Sequence, residues 1–194
     1  MKTLFAVLAC LCVLCLGACS TSAPAYTQND VTKLAQTLRD LGPEVDPAEA
    51  TRAAQIAFSY SRQLATEYGV TTSPIIHNVR VNEGAKERGL CVHYAEDMQR
   101  RLNQEGFKTL QMHRAIALPK TPFNIDHSTA VISRRGDDMY AGVILDPWRD
   151  AGDLFWSPTQ DDTRYNWRPR MEVLEELYPE EFAAARASGV LSQF

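Results

Sequence analysis

Three residues of the sequence have the types and order that nucleophilic catalysis requires: Cys91, His127 and Asp146. Cys91 begins a segment, 91–104, whose apolar residues recur at helical spacing. A helix start presents unpaired backbone N–H groups and the positive end of the helix dipole, both of which favour a thiolate. We therefore predict that Cys91 is a reactive thiol. The alternative is a buried cysteine that packs as a small hydrophobic residue.

His127 and Asp146 lie in segments that have the composition of paired strands. Three segments are rich in β-branched and aliphatic residues: 109–118, 127–135 and 139–146. Gly136-Asp137-Asp138 separates the last two as a hairpin turn. A symmetric hairpin places His127 opposite Asp146 or Pro147, with Cβ atoms about 4.5–5.5 Å apart. The imidazole could then donate a hydrogen bond to the carboxylate.

Other elements must position these residues. Helical spacing and end signals predict four further helices: 29 or 30 to 41, 47 to 68, 171 to 177, and 180 to 187. Asp46-Pro47 supplies a cap and a first-turn proline for the second of them. The stretch 71–87 is predicted to be an ordered loop that leads into the cysteine helix.

The N-terminus has the pattern of a secretory signal, with Lys2, an apolar run over 4–16 and small residues before Cys19. Leu16-Gly17-Ala18-Cys19 resembles the bacterial lipobox, in which the cysteine is lipidated. We therefore expect residues 1–18 to be a lipoprotein signal peptide and Cys19 to carry a membrane anchor. Alternatives are cleavage elsewhere or an uncleaved anchor, although the run is shorter than the ~20 residues of a membrane span. Ser20 resembles the sorting residue of lipoproteins held in the outer membrane and facing the periplasm.

Of the five cysteines, only Cys91 would remain in the folded domain, which we place at residues 29–194. The others would leave with the signal peptide or carry lipid, so no intrachain disulfide is possible. Residues 19–28 are expected to form a lipid-anchored tether. The net charge of -4 gives no reason to expect nucleic acid as a partner.

The order of helix-start cysteine, strand-end histidine and strand-end aspartate resembles the transglutaminase-like superfamily, including its bacterial lipoproteins. The matching segments are Gly89 to Ala95, Asp126 to Val131 and Val143 to Trp148. The resemblance implies an α+β, papain-like fold, in which N-terminal helices and the nucleophile helix pack on an antiparallel sheet. It implies no cofactor.

The resemblance also implies a mechanism in which Cys91 attacks an amide or ester carbonyl and forms a thioester. His127 would transfer the proton, and Asp146 would orient the imidazole. Water as acceptor would give a peptidase-like or amidase-like hydrolase acting on a protein or a peptide, with cell-wall peptides among the candidates. A lysine amine as acceptor would give a transamidase. The third hypothesis is a non-catalytic binding or scaffold module of the envelope.

Four further residues are candidates for the oxyanion site or the substrate cleft: His77, Asn78, Trp148 and Arg149. One oxyanion donor should be the backbone N–H of Cys91, and His77 or Asn78 could supply another. The alternative is that Asn78 is a turn residue bonded to its own backbone. Trp148 and Arg149 lie beside Asp146 in sequence, whereas the later aromatic residues are expected to pin a long loop to the core.

A metal site is not predicted. Cys91, His93, His113 and His127 could supply ligands, but they lack the paired spacing of structural zinc sites. On a helix, His93 would also point about 200° away from Cys91.

Overall fold

The computed structural model describes residues 26–119 and 125–189. Its regular elements follow in this order: α1 Gln28–Arg39, α2 Pro47–Glu67, α3 Pro74–Asn82, α4 Cys91–Asn103, β1 Leu110–Ala117, β2 His127–Arg134, β3 Val143–Asp150, β4 Asp153–Pro158, β5 Arg168–Pro169, α5 Arg170–Leu177 and α6 Pro179–Ala187. Within the described ranges, the chain is an α+β fold with six α-helices and an open, five-stranded antiparallel sheet. The α+β class is the predicted one. The expected signal peptide and Cys19 lie outside the described residues.

The helix that begins with Cys91 lies in the middle of the fold. The strand order is β4-β3-β2-β1-β5, and α4 packs across β1, β2 and β3, while α2 contacts α4 and also β3 and β4. The main core joins these layers through buried apolar side chains: Leu34, Leu38, Phe58, Met98, Leu102, Ile132 and Leu145. Packing against the sheet and against α2 therefore fixes α4, and with it the position of Cys91. No helix in the described part of the chain is long and apolar enough to cross a membrane.

The N-terminal boundary of the domain differs from the prediction. Thr27, rather than Asn29 or Asp30, caps α1: its Oγ1 accepts from the N–H of Asp30 at 3.3 Å, and Asp30 Oδ2 accepts from the N–H of Thr27 at 2.8 Å. Tyr26 packs on Phe58 with ring centroids 5.0 Å apart. Residues 26–28 therefore belong to the folded domain and not to the tether.

The stretch 71–87, predicted as a loop, contains helix α3. Ser73 precedes it and Pro74 occupies its first turn, which is the start signal that also opens α2. Its large apolar side chains are exposed: Ile75, Ile76 and Val79. Because the helix buries only His77, it lacks the apolar buried stripe on which the sequence criterion depends.

The β2–β3 connection is longer than the predicted hairpin turn. Residues Met139–Ala141 form a 3₁₀ turn, capped by Asp138 Oδ1, which accepts from the N–H of Tyr140 at 2.9 Å. β3 therefore begins at Val143 and continues to Asp150. The predicted third strand, 139–146, therefore begins and ends about four residues before the observed β3.

This longer connection shifts the register by two residues. Ala130 pairs with Leu145, and continuing that register places His127 opposite Trp148 rather than Asp146. A slip of two residues keeps each side chain on its face, whereas a slip of one would reverse it. His127 and Asp146 are thus diagonal neighbours on one face of the sheet.

The segment after β3 was predicted as a long loop and is partly strand. β4 pairs with β3, with Leu145 opposite Trp156, and the short β5 pairs with β1, with Ala115 opposite Pro169. Both lie at the sheet edges, where half-buried side chains give a weak alternation of apolar and polar residues.

Candidate active site

Cys91 is the first residue of α4, and local features fix that start. The imidazole Nδ1 of His93 accepts from the backbone N–H groups of Gly89 at 3.1 Å and Leu90 at 3.3 Å. This nitrogen must be unprotonated to accept, and burial together with the charge of Arg88 lowers the pKa of His93. His93 therefore caps the nucleophile helix. Its use as a cap is evidence against a role as a metal ligand.

Hydrogen bonds and an ion pair hold the residues that precede Cys91. His77 is buried, and its Nε2 donates to the carbonyl of Arg88 at 2.9 Å. Arg88 in turn pairs with the buried Asp97 of α4 at 3.0 Å, and Asp97 also accepts from the Tyr68 hydroxyl. This network anchors the chain entering α4 to the helix itself.

His127 and Asp146 form a buried pair. Both residues are 1 % exposed, and Nε2 of His127 donates to Oδ2 of Asp146 at 2.6 Å. Burial opposes protonation of the imidazole, but the Asp146 carboxylate and the neighbouring Cys91 outweigh burial and raise the pKa of His127 to about 9. The imidazole is therefore cationic at neutral pH.

The second imidazole nitrogen is available to the thiol. Nδ1 of His127 is buried and has no hydrogen-bond partner among the residues that the structure describes. Cys91 is half-exposed and lies close enough to stabilise the protonated imidazole. Nε2 is occupied by Asp146, so Nδ1 is the nitrogen that can exchange a proton with Cys91 or with a bound substrate.

Arg149 also bonds the Asp146 carboxylate, partly at the same Oδ2 that accepts from His127. Its Nε donates to Oδ2 of Asp146 at 3.1 Å, and its backbone N–H donates to Oδ1 at 3.2 Å. The same guanidinium donates to Asp162 at 2.6 Å, and Asp162 also accepts from Trp167 Nε1 at 2.9 Å. Asp162 was not predicted as a site residue, because it lies in a polar loop that carries no motif. Only its contacts with Arg149 and Trp167 identify it as part of the site.

Aromatic rings surround His127. Its ring centroid lies 4.8 Å from Trp148, 4.6 Å from Tyr165 and 5.3 Å from Trp167. Trp148 was predicted to lie near the chemistry, and it also packs in the cluster that includes Cys91. Tyr165 and Trp167 were expected only to pin a loop, whereas they also form the walls that shield the imidazole.

The two predicted oxyanion candidates have different environments. Trp148 Nε1 can only donate, and it does so to Asn78 Oδ1 at 3.0 Å. This bond orients the Asn78 amide and leaves its Nδ2 group free to donate. His77, in contrast, uses Nε2 on Arg88. Among the described residues, the Cys91 backbone N–H has no acceptor.

A cavity of about 380 Å³ opens beside this site. Its walls combine the aromatic rings around His127 with exposed apolar residues of α3 and of the segment before β2: Pro74, Ile75, Ile125, Trp148 and Tyr165, with Arg149 and Arg164. The wall thus combines apolar and aromatic side chains with two arginines. A peptide side chain could be bound there next to the reacting groups.

Comparison of the chain with protein-family models, with curated proteins and with solved structures found no match. The function proposed for the site therefore depends on the geometry of the site itself.

His113, the remaining histidine, lies on β1 with Nε2 2.8 Å from Ser133 Oγ, away from the pair formed by His127 and Asp146.

Proposed function

We propose that the protein is a cysteine-dependent amide hydrolase of the peptidase or amidase type, with a transglutaminase-like, papain-like Cys91-His127-Asp146 triad. The observation that carries this proposal is the buried His127–Asp146 hydrogen bond, whose imidazole keeps Nδ1 unbonded beside a half-exposed thiol. Among the described residues, the buried Nδ1 of His77 is likewise unbonded, so what distinguishes His127 is the carboxylate on its Nε2 together with the neighbouring Cys91.

The first half-reaction forms a thioester. The Cys91 thiolate attacks the amide carbonyl carbon, and the C=O electron pair moves onto oxygen, next to the Cys91 backbone N–H. The protonated Nδ1 of His127 gives its proton to the leaving nitrogen as the C–N bond breaks. The amine departs, and the acyl group remains on sulfur.

The second half-reaction uses water. The neutral His127, having lost its proton, removes a proton from water, and the hydroxide attacks the thioester carbonyl. The C–S bond breaks, the acid is released, and the thiolate–imidazolium pair is restored. Asp146 and Arg149 hold the imidazole orientation through both steps.

Asn78 is the second oxyanion donor in this proposal. Its Oδ1 is held by Trp148, so the direction of Nδ2 is set by a bond outside the reaction. Such prior orientation is what makes an oxyanion donor effective, because no reorganisation is needed when charge develops.

We further propose that the enzyme acts in the cell envelope, anchored by a lipid on Cys19 to the outer membrane and facing the periplasm. This part is supported by the lipobox-like residues Leu16 to Cys19. The substrate would be a protein or a peptide, with cell-wall peptides among the candidates. No cofactor enters the mechanism.

The test is the rate of Cys91 alkylation by iodoacetamide as a function of pH, in the protein and in His127→Ala. We expect fast alkylation well below the range in which a free thiol titrates, and a decrease of at least about tenfold at pH 6 to 7 in His127→Ala. Cys91→Ser controls for labelling elsewhere, and circular dichroism checks that both variants fold. Alkylation that follows an ordinary thiol in both proteins, or that requires unfolding, would refute the proposal.

A further inference from the structure

A second cavity, of about 530 Å³, lies at the open edge of β1 beside the start of α4. We call it the arginine cavity and define it by six wall residues: Val92, Met112, Arg114, Met139, Arg170 and Met171. Val92 directly follows Cys91, so the cavity begins next to the nucleophile.

Among the described residues, neither arginine of this cavity has the carboxylate partner that most buried guanidinium groups have. Arg114 Nη2 reaches only the Val92 carbonyl, at 3.5 Å, and Arg114 Nε is buried without a hydrogen-bond partner in the described part of the chain. Within residues 26–119 and 125–189, Arg170 Nη1 has one hydrogen-bond partner, the sulfur of Met171 at 3.6 Å. Donor capacity is thus left over on both side chains.

The two positive charges are close enough to disfavour each other. Burial, reinforced by Arg170, lowers the pKa of Arg114 to about 10. Two acidic residues also line the cavity but are bonded elsewhere: Asp138 Oδ1 accepts from the N–H of Tyr140 at 2.9 Å, and Glu96 lies 3.9 Å from Arg100. Glu96 acts on Arg114 more weakly than Arg170 does.

We propose that the arginine cavity is a substrate subsite that binds a carboxylate through Arg114 and Arg170, beside Cys91. The inference rests on the proposed function, because it places the carboxylate of a substrate near the bond that Cys91 attacks. A carboxylate would satisfy the unused donors with charge-assisted hydrogen bonds. The methionines of the wall would contact the carbon chain that carries it, since methionine side chains adapt to irregular apolar groups.

The substrate class is then a peptide with a carboxylate close to the scissile amide. That carboxylate could be a free C-terminus or an acidic side chain, and the two sources share the same chemistry. Two matched pairs of thiol reagents distinguish them: N-iodoacetylglycine against its amide, and N-iodoacetyl-aspartic acid amide against N-iodoacetyl-asparagine amide. Within a pair, the reagents differ only in the carboxylate.

The experiment measures Cys91 alkylation by each reagent in the protein and in Arg114→Gln and Arg170→Gln. We expect the carboxylate member of at least one pair to react faster by roughly tenfold, and this ratio to fall towards one in both variants. The pair that shows the preference identifies the source of the carboxylate. Arg168→Gln is the matched control, because Arg168 lies on β5, pairs with Glu176 at 2.7 Å and does not line the cavity.

Three results would overturn the inference. A ratio of one in the protein, or a ratio that survives in both Arg114→Gln and Arg170→Gln, would reject the carboxylate subsite while fast alkylation still upheld the proposed function. Alkylation no faster than that of a free thiol with every reagent would reject the function and the subsite together. If Arg114→Gln fails to fold, the test uses Arg170→Gln and Arg114→Lys. Lysine keeps the positive charge but lacks the planar guanidinium that binds a carboxylate through two hydrogen bonds.

Discussion

At the scale of single residues, the chemistry depends on which atom of each side chain is already bonded. Asp146 occupies Nε2 of His127 and leaves Nδ1. Trp148 occupies Oδ1 of Asn78 and leaves Nδ2. In both residues, one polar atom serves as the anchor and the other is free to act on a substrate.

Asn78→Asp separates these two roles of the amide. Aspartate keeps an oxygen that accepts from Trp148 Nε1, but it has no donor for an oxyanion. We expect acylation of Cys91 by p-nitrophenyl acetate to slow by about 10²- to 10³-fold, measured as the burst of p-nitrophenol. Alkylation by iodoacetamide forms no oxyanion, so its rate should change much less.

The difference between the two reactions is the informative quantity. If Asn78→Asp slowed acylation and alkylation equally, the residue would act only by holding Trp148 or by changing the charge at the site. The second oxyanion donor would then have to be sought elsewhere.

At the scale of elements, the position of Cys91 is set by how the chain enters α4. Gly89 has φ +124°, a conformation that L side chains rarely adopt, and a Cβ there would lie 2.2 Å from Nε2 of His77. His77 cannot easily give way, because it is buried and bonded to the carbonyl of Arg88. The turn before the nucleophile therefore requires glycine for both its conformation and its space.

Gly89→Ala should consequently lower the free energy of unfolding by about 3 to 5 kcal/mol, from backbone strain and overpacking together. Urea unfolding followed by circular dichroism measures this change. Gly84→Ala is the matched control: its φ is +76°, but no atom lies within 4 Å of the added Cβ. We expect it to cost only about 1 to 2 kcal/mol. Equal losses in the two variants would show that His77 does not restrict this turn.

At the scale of the whole molecule, the buried pair couples stability to pH. Hydrogen bonds from His127 to Asp146, and from Arg149 to Asp146 and Asp162, join β2, β3 and the loop after β4. The pKa of His127 is raised to about 9 in the folded protein, against about 6.5 for an unperturbed histidine. In Cys91→Ala, where no thiolate can compensate the charge, the folded state thus holds one more proton on His127 than the unfolded state between these values.

Stability from this pair is complete below about pH 6.5 and is lost as the pH rises through about 9. We expect the free energy of unfolding of Cys91→Ala to fall across this window with a slope approaching 1.4 kcal/mol per pH unit. In the wild-type protein, a thiolate would offset the extra proton on His127 and flatten the slope. Urea unfolding at a series of pH values measures the slope. Added to Cys91→Ala, Asp146→Asn removes the main charge that stabilises the imidazolium, so the slope should be much smaller. A steep slope that persists in Asp146→Asn would assign the pH dependence to another group.

The sequence by itself determined the local elements with strong end signals and the order of the chemical groups. Asp46-Pro47 marked the start of α2, the apolar spacing after Cys91 marked α4, and aliphatic segments marked β1 and β2. These features depend on neighbours within one or two turns, which periodicity and capping record directly. The sequence placed His127 opposite Asp146 or Pro147, and only the first of these puts His127 and Asp146 on one face.

Tertiary structure alone decided the rest. The capping of a 3₁₀ turn by Asp138 shifted the β2–β3 register by two residues, and α3 formed without a buried apolar stripe. The links from Asp162 to Arg149 and from Asn78 to Trp148 join residues that are distant in sequence. Such contacts depend on where separately folded elements meet, and no local pattern encodes them.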